Sequence, residues 1–228
     1  MSAIKPPFAY YGGKTTLADR IVSLLPDHAH YAEPFAGSLA VLLAKPRSPM
    51  ETVNDLEQDL VTFWRVLRDR PAELRRLMEL TPHGRAEHQL AYEATAFDDL
   101  ERARRIWVLL SQGRGGTLRS TGWRFYRNPG GSSYAMPDYL AAYAARVPDC
   151  ALRLQCVSLE CRDALEVIAD YGRHPGRVAV LRSAVPGQHP LNQLPHRVRY
   201  PGAARSACRG IERLCRQRRS VRLHLTAV

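Results

Sequence analysis

The sequence predicts an α/β fold in which a helical region interrupts the sheet and an irregular tail follows it. Short strand-like segments, glycine turns and helices alternate near the start of the chain. Helical periodicity fills the middle, and strand-like segments return near residue 152. After about Tyr171, prolines, glycines and arginines recur without a period. The order strand, glycine turn, helix, strand and acid is typical of the opening of a nucleotide-binding unit.

The composition argues against a disordered, fibrous or membrane-spanning chain. Its 228 residues are 45% hydrophobic and 24% charged, and this length suffices for one large or two small domains. No apolar run approaches the roughly 18 to 20 residues that a membrane span needs, and the N-terminus lacks the apolar core of a signal peptide. We therefore expect a cytoplasmic protein with no membrane partner.

Cysteine usage predicts free thiols. The five cysteines are an odd number and lack the close spacing of metal ligands. We therefore expect reduced thiols in a reducing compartment, and no bound metal. The residues concerned are Cys150, Cys156, Cys161, Cys208 and Cys215.

The net charge of +11 suggests nucleic-acid binding, but its position weakens that inference. Residues 172–228 contain twelve arginines, no lysine and a single acid, Glu212. The preceding 171 residues carry equal numbers of basic and acidic side chains. A prediction of specific DNA binding must therefore rest on particular residues and not on the overall charge.

The first elements are a loop, a helix and two short strands. The loop covers residues 8–14, and Thr15 or Thr16 can cap a helix with apolar residues at 17, 21, 24 and 25. A strand is predicted over 30–33, followed by a turn over 34–38 and a helix that begins at Leu39. The second strand contains Thr52 and Val53 and ends at Asn54-Asp55.

The remaining elements follow from apolar spacing. The middle of the chain predicts three helices and then a loop rich in glycine, serine and aromatic residues up to Tyr134. Another helix opens at Pro137, and Asp163 precedes a further one. The three middle helices cover about 56–67, 74–80 and 100–110; the strands expected afterwards cover 152–159 and 178–181.

The turn over residues 33–38 is the first candidate site. A glycine turn after a strand lets a ligand approach the backbone, and a carboxylate at the end of the next strand can accept hydrogen bonds from ribose hydroxyls. Gly37 and Asp55 stand in these two positions. On this pattern alone, an ordinary strand-to-helix turn is the favoured interpretation, because glycine-containing turns of this kind are common.

The loop Tyr10-Tyr11-Gly12-Gly13-Lys14 is the second candidate site. Its glycines allow a tight backbone, Lys14 can reach a carboxylate or phosphate, and Tyr10 can stack on a flat base. The end of a P-loop is the competing interpretation, because Gly13-Lys14-Thr15 fits it. That motif requires glycine at the position of Phe8 and follows a strand, so we do not favour it.

Taken together, these motifs resemble the Dam-type, D12-class adenine-specific DNA methyltransferases. The resemblance rests on aromatic-X-Gly-Gly-Lys, Glu-Pro-Phe-Ala-Gly and Asn-Asp-Leu, and it covers roughly residues 5–171. It implies a Rossmann-like fold with an inserted helical target-recognition domain. It also implies S-adenosylmethionine as the cofactor. The implied cofactor-binding residues are Tyr10, Gly12, Gly13, Lys14, Glu33, Pro34, Phe35, Gly37, Asp55 and Asp163.

Leu39 in the turn and Asp163 further along the chain carry additional expectations. Leu39 departs from the small residue usual in the family's turn, so we expect crowding there. Asp163 resembles the family's acid near the cofactor adenine, and an N-cap of the following helix is an equally open and compatible interpretation.

The stretch over residues 106–119 resembles the family's target-recognition segment. A glycine-bearing loop with arginine and aromatic residues can enter a DNA groove, pair with guanine and wedge between bases. For each residue taken singly, a solvated arginine or a packing aromatic is the open alternative. The implied DNA-binding residues are Arg114, Arg119, Arg124 and Tyr126.

The resemblance also implies a domain order. We predict a catalytic domain built from residues 1–58 and 150–181, a recognition domain over 59–149 and an aberrant basic tail over 182–228. Double-stranded DNA is the expected partner, within a restriction–modification type of function. A monomer is the default expectation for the oligomeric state.

The family's catalytic motif, Asp-Pro-Pro-Tyr, is missing, so no catalytic residue is assigned. It should follow Val178–Leu181, where the sequence instead reads Arg182-Ser183-Ala184-Val185-Pro186. One permitted choice of codons for residues 181–200, read one base later, encodes Pro-Pro-Tyr. We therefore interpret the chain after about Tyr171 as an out-of-frame tail. The two functional hypotheses are a catalytically impaired methyltransferase and a non-catalytic remnant that binds DNA or cofactor.

Overall fold

The computed structural model describes residues 4–93, 98–126, 135–171, 177–182 and 223–227. The chain divides into two compact units. One comprises Met1–Gly13 and Glu57–Gln155 and is called the helical unit. The other comprises Lys14–Leu56 and Cys156–Val228 and is called the sheet unit.

The elements in chain order are α1 (Ala18–Val22), β1 (His30–Glu33), α2 (Ala40–Ala44), β2 (Met50–Asn54), α3 (Gln58–Asp69), α4 (Pro71–Leu80), α5 (Arg85–Leu90), α6 (Asp99–Gln112), α7 (Met136–Ala144), α8 (Val147–Leu154), β3 (Ser158–Glu160), α9 (Ala164–Tyr171), β4 (Arg177–Arg182) and β5 (Leu223–Ala227). Within the described residues, no helix combines the length and the apolar composition of a membrane span.

The strands of the sheet unit form one sheet in the order β3-β2-β1-β4-β5. The first four strands are mutually parallel, and β5 runs antiparallel to β4. The carboxyl ends of β1, β2, β3 and β4 therefore meet at one edge of the sheet. The chain moves outward from β1 through β2 to β3, whereas β4 lies on the other side of β1. Ligands of open α/β sheets bind at such a reversal of strand order.

The interior of the sheet unit contains polar side chains that have partners. All four residues of β1 are buried, although three of them, His30, Tyr31 and Glu33, are ionisable. His30 and Thr52 lie on the same face of the sheet, and the His30 ring nitrogen Nε2 is 2.9 Å from the Thr52 hydroxyl. The Tyr31 hydroxyl donates to the Glu33 carboxylate at 2.8 Å on the opposite face. Buried polar groups persist in a core when they are hydrogen-bonded in this way.

A buried ion pair joins the loop before β2 to that strand. The Lys45 ammonium lies 2.7 Å from the Glu51 carboxylate, and both side chains are almost fully buried. Lys45 also donates to the Ser48 hydroxyl at 2.6 Å and lies 4.7 Å from the centre of the Tyr31 ring. Ser48 in turn is 2.8 Å from the His28 ring. Since the charges are desolvated, loss of either partner would leave the other charge buried without compensation.

The helical unit has its core between α3 and α6. Its largest buried side chains are Phe63, Trp64 and Trp107. Phe8 packs against Phe63 and Trp64 at ring-centre distances of 5.1 and 5.2 Å. The Trp107 indole donates to the carbonyl of Pro7 at 3.0 Å. These contacts explain why the first thirteen residues belong to the helical unit.

Most predicted elements are confirmed. The strands at His30–Glu33 and Met50–Asn54 are present, and the middle of the chain is helical. The strand expected over 178–181 is β4, which pairs in parallel with β1. The helix α5 was missed, because its six residues are too few to produce a clear apolar period.

Three local predictions were wrong. No side chain caps α1, whose N-cap is Leu17 and not Thr15 or Thr16. The strand predicted from residue 152 begins only at Ser158, because Leu154 belongs to α8. The buried residues of α8 have helical spacing (Val147, Cys150, Ala151 and Leu154), and the apparent alternation with Leu152 was coincidental.

The predicted irregular tail contains a strand. Leu223–Ala227 forms β5, so that part of the expectation is wrong. Residues 183–222 lie outside the described residues, as do Cys208 and Cys215. The other three cysteines are free thiols, and burial raises the pKa of Cys150 to about 12. The out-of-frame origin of the tail and the catalytic and recognition roles of the predicted domains stay predictions.

Because the ion pair is buried, we predict that replacing one partner destabilises the protein more than replacing both. Lys45→Met leaves the Glu51 carboxylate buried without its cation, so we expect the free energy of unfolding to fall by roughly 3–5 kcal/mol. The double variant Lys45→Met/Glu51→Gln should show a clearly smaller decrease in the free energy of unfolding, because no charge is left buried alone. Urea unfolding followed by circular dichroism measures both effects.

The exposed pair of Arg75 and Glu79 supplies the control. Arg75→Met should change stability by at most about 0.5 kcal/mol, because solvent screens that pair. An equal loss of stability in Lys45→Met and Arg75→Met would show that burial of the Lys45 ion pair makes no difference to its contribution.

Candidate functional site

The turn after β1 closes over the end of β2. Gly37 has a φ of 52°, a left-handed conformation that glycine adopts without strain. Its amide donates to the Asp55 carboxylate at 2.8 Å, and the amide of Ala36 donates to the carbonyl of Asn54 at 2.9 Å. The glycine turn and the acid predicted from the sequence are therefore in direct contact.

Asn54 links this turn to the turn after β3. Its Nδ2 donates to the carbonyls of Pro34 and Arg162, each at 3.0 Å. Its Oδ1 accepts from the amide of Arg162 at 3.0 Å. Because the carbonyls can only accept and the amide can only donate, the partners fix the orientation of the side chain. Asn54 is 1% exposed, so water cannot substitute for these partners.

Leu39 combines a strained backbone with a buried side chain. Its φ is 54°, and among the described residues it is the one non-glycine residue with a positive φ. Its side chain is fully buried. The turn therefore contains a left-handed backbone at a branched residue, whereas the crowding expected there stays a prediction.

Glu33 and Lys14 place opposite charges inside the sheet unit. Both residues are 5% exposed, and the Glu33 carboxylate accepts from the Tyr31 hydroxyl. Phe35 is half-buried two residues further along the turn. Burial of an ionised group is costly, so these two residues need specific partners in the folded chain.

Asp163 caps α9. Its carboxylate accepts from the amide of Leu165 at 2.7 Å, and its side chain is exposed. The capping interpretation is therefore confirmed, whereas its contact with a cofactor stays a prediction. The same turn is held by Arg162, which pairs with Glu160 and, at 2.6 Å, with Asp170. The Tyr171 hydroxyl also donates to Glu160, and this hydrogen bond is the main reason that the pKa of Tyr171 is raised.

The loop of Tyr10 lies in the helical unit up to Gly13. Tyr10 is half-buried beside Phe8, and its carbonyl accepts from the amide of Gly13 at 2.8 Å. Gly12 has a φ of 64°, as a tight glycine loop requires. Lys14 belongs to the sheet unit. A shared cleft for Tyr10 and Asp55 therefore stays a prediction.

Residues 113–126 form a hairpin-like segment after α6. Gly113 and Trp123 form an antiparallel bridge, and the amide of Arg124 donates to the carbonyl of Gln112 at 2.7 Å. The buried Gln112 side chain donates to the carbonyl of Pro82 at 3.0 Å and accepts from the amide of Gly84 at 3.2 Å. Gln112 thus ties the hairpin to the loop before α5.

An aromatic stack covers one side of this hairpin. The Trp123 ring stacks with those of Phe125 and His83. Its ring centre is 5.2 Å from that of Phe125 and 4.5 Å from that of His83. The guanidinium of Arg85 lies 4.9 Å from the Trp123 ring, and that of Arg114 lies 5.9 Å from Phe125. Arginine beside aromatic rings is a combination suited to contacting bases and phosphates.

The four predicted DNA-binding residues differ in their surroundings. Arg114, Arg119 and Tyr126 are exposed. Arg124 is half-buried, donates to the Tyr126 hydroxyl at 2.5 Å and lies 5.5 Å from the Tyr139 ring. Arg114 and Arg119 are therefore more accessible to solvent than Arg124.

The arginines of the hairpin and those of the helices differ in whether they form ion pairs. Arg65, Arg75 and Arg104 on α3, α4 and α6 all pair with carboxylates. Within the part of the chain that the structure describes, no carboxylate pairs with Arg85 or with the three predicted arginines of the hairpin. The hairpin side therefore carries positive charge that is available to an anionic partner.

Several residues of these sites were missed from the sequence. No site role was predicted for His83, Arg85, Trp123 and Phe125, nor for Asn54 and Gln112, although these two lie within the motifs that carry the resemblance. The alternation Trp-Arg-Phe-Tyr over 123–126 could have indicated an extended segment with two aromatic rings on one side. The described residues contain no cluster of His, Cys, Asp and Glu suited to a metal ion. The position expected for the missing motif begins at Arg182, where β4 ends, and its other residues lie outside the described ones.

A comparison with known families supports the resemblance drawn from the motifs. Residues 10–114 match the model of the D12 class N6 adenine-specific DNA methyltransferase family, which confirms the resemblance over that range. No curated protein matches the chain. The match includes the loop at Tyr10, the turn at Gly37 and Asp55, and it ends at Arg114. The parallel sheet with helices is compatible with the α/β fold of a methyltransferase, while the inserted recognition domain stays a prediction.

Two adjacent glycines of the hairpin test how it is anchored. Both Gly115 and Gly116 have a positive φ, but a Cβ on Gly116 would lie 2.6 Å from the carbonyl oxygen of Ala9, whereas one on Gly115 would meet open space. The amide of Tyr11 also donates to the carbonyl of Gly116 at 2.7 Å. Gly116→Ala should therefore lower the unfolding temperature clearly more than Gly115→Ala, as measured by differential scanning calorimetry.

Backbone strain is common to both variants, so the difference between them isolates the clash. Equal melting temperatures would show that the segment at residues 9–11 is not held against the hairpin.

Proposed function

We propose that this chain descends from a DNA adenine N6-methyltransferase, binds S-adenosylmethionine and double-stranded DNA, and is impaired in methyl transfer. The observation that carries the proposal is the hydrogen bond between the Gly37 amide and the Asp55 carboxylate. It joins the glycine turn to the acid at the edge where parallel strands end, beside the reversal of strand order.

The residues at this edge fit an adenosyl group. Asp55 is half-buried, so its carboxylate combines a fixed position with access to solvent. A carboxylate there can accept hydrogen bonds from ribose hydroxyls, and the turn at Gly37 lets a ligand approach the backbone. When bound, S-adenosylmethionine supplies an electrophilic methyl group on its sulfonium. The roles of Pro34, Phe35 and Asp163 rest on the resemblance.

The hairpin supplies the chemistry for DNA. Arg114 and Arg119 are exposed arginines without a carboxylate partner among the described residues. Guanidinium groups bind phosphates and the acceptor edge of guanine. The aromatic stack beside them offers ring faces for contact with bases. These features support duplex DNA as the partner.

The proposed impairment follows from the chemistry of the amino group. The lone pair of adenine N6 is delocalised into the ring, so the nitrogen is a poor nucleophile. In the family that this chain resembles, the target base is flipped out of the duplex. The Asp of Asp-Pro-Pro-Tyr then accepts a hydrogen bond from the amino group of that base, and the Tyr stacks on it. This sequence contains no such motif, so the chain lacks the acceptor that positions N6 for displacement.

A non-catalytic remnant is the second candidate function, and the same missing motif favours it. The two candidates make the same prediction for binding and opposite predictions for turnover. Calorimetry of cofactor binding and a methyl-transfer assay on duplex DNA, performed on one preparation, separate them. Transfer supports the enzyme, whereas binding without transfer supports the remnant. The coding DNA for residues 165–200 tests the out-of-frame tail.

Cofactor binding should depend on the charge of Asp55. Asp55→Asn keeps an oxygen that can accept from the Gly37 amide but loses the charge that favours ribose hydroxyls, so we expect affinity for S-adenosylmethionine to fall by about tenfold. Isothermal titration calorimetry gives the value. Asp19→Asn, an exposed residue of α1 in the same unit, should bind as the unsubstituted chain does. Unchanged affinity in Asp55→Asn would remove Asp55 from the site.

DNA affinity should depend on the hairpin arginines. Arg114→Ala and Arg119→Ala should each reduce the slope of log affinity against log salt by about 1, the amount expected for one lost phosphate contact. Fluorescence anisotropy with a short duplex measures the slope. Arg75→Ala is the control, because its guanidinium pairs with Glu79 in the same unit. An equal reduction in Arg75→Ala would contradict a specific role for the hairpin.

A further inference from the structure

We infer that Asn54 is a positioning residue for the cofactor: its side-chain amide sets the separation between the two turns that hold the adenosyl group. The inference rests on the proposed function and adds to it a residue that binds no ligand itself. Three observations carry it: the set of hydrogen bonds of Asn54, its burial, and its place in the chain between those turns.

The hydrogen bonds of Asn54 join segments that are far apart in sequence. One Nδ2 proton is donated to the carbonyl of Pro34, twenty residues earlier, and the other to the carbonyl of Arg162, 108 residues later. The Oδ1 atom accepts from the amide of Arg162. Both donor protons are used, and both atoms of the amide have partners.

The backbone of Asn54 strengthens the same connection. Its carbonyl accepts from the amide of Ala36 at 2.9 Å, within the turn that Pro34 opens. The next residue is Asp55, which accepts from Gly37. One residue therefore contacts the turn after β1 twice, contacts the turn after β3 twice, and precedes the proposed ribose acid.

Asparagine is suited to this position because of its length and its two functions. A planar amide can donate to two carbonyls and accept from one amide without carrying a charge. An aspartate would place a carboxylate oxygen, which cannot donate, against two carbonyl oxygens, and an alanine would leave buried groups of both turns without partners. Since small displacements of binding groups reduce affinity strongly, loss of the amide should affect the ligand even when the sheet remains folded.

Ser48 provides a matched control at the opposite end of the same strand. It is buried and hydrogen-bonded to Lys45 and His28 before β2 begins. Ser48→Ala therefore removes buried hydrogen bonds from the sheet unit without touching the turns. A purely structural role for Asn54 predicts that its variants bind ligand as Ser48→Ala does.

The experiment compares binding of S-adenosylhomocysteine by the full chain, Asn54→Ala, Asn54→Ser and Ser48→Ala. Calorimetry is performed at a temperature at which circular dichroism shows each variant to be folded. We expect about a tenfold or greater loss of affinity in both Asn54 variants and less than about a twofold change in Ser48→Ala. Binding by the Asn54 variants equal to that of Ser48→Ala overturns the inference and leaves the cofactor site intact.

A second measurement does not depend on the folding of a variant. In the unsubstituted chain labelled with nitrogen-15, addition of S-adenosylhomocysteine should shift the side-chain amide signals of Asn54 and the backbone amide of Arg162, and leave the amide of Ser48 unchanged. Binding without a shift at Asn54 overturns the inference. Absence of any binding overturns the proposed cofactor site itself and, with it, this role of Asn54.

Discussion

The sheet unit is organised around a constraint of hydrogen bonding at the end of β2. The buried amide of Asn54 can be satisfied only if the turn after β1 and the turn after β3 both approach it. Once they do, the Asp55 carboxylate follows at the strand end and accepts from Gly37. An unsatisfied amide in this place would be costly, so the local geometry of the edge is determined by a side chain that no ligand needs to touch.

The helical unit contains an analogous residue. Gln112 is fully buried and uses its amide to hold the loop of Pro82 and Gly84, while its backbone carbonyl accepts from Arg124 of the hairpin. In both units a neutral amide connects loops that carry charged residues. A neutral group suits this task, because it can be buried without the large desolvation cost of a charge.

The sequence allowed the prediction of features that depend on local patterns. Glycine turns, the acid after β2 and the helices of the middle region all have short-range signals, and the structure contains them. Asn54 and Gln112 could not be identified in this way, since their partners lie up to 108 residues away. The prediction of a strand before Ser158 was wrong for a related reason. Apolar residues two positions apart also occur on an amphipathic helix such as α8. A position of Tyr10 beside Asp55 stays a prediction, because it depends on contacts that no local pattern encodes.

Leu39 has a consequence for the turn that contains it. Its left-handed backbone costs about 1–2 kcal/mol relative to glycine, whereas removal of a fully buried leucine side chain costs roughly 2–5 kcal/mol. A glycine at this position would relieve the backbone but leave an empty space in the core of the sheet unit. The conformation of the turn is therefore maintained by hydrophobic packing as well as by hydrogen bonds.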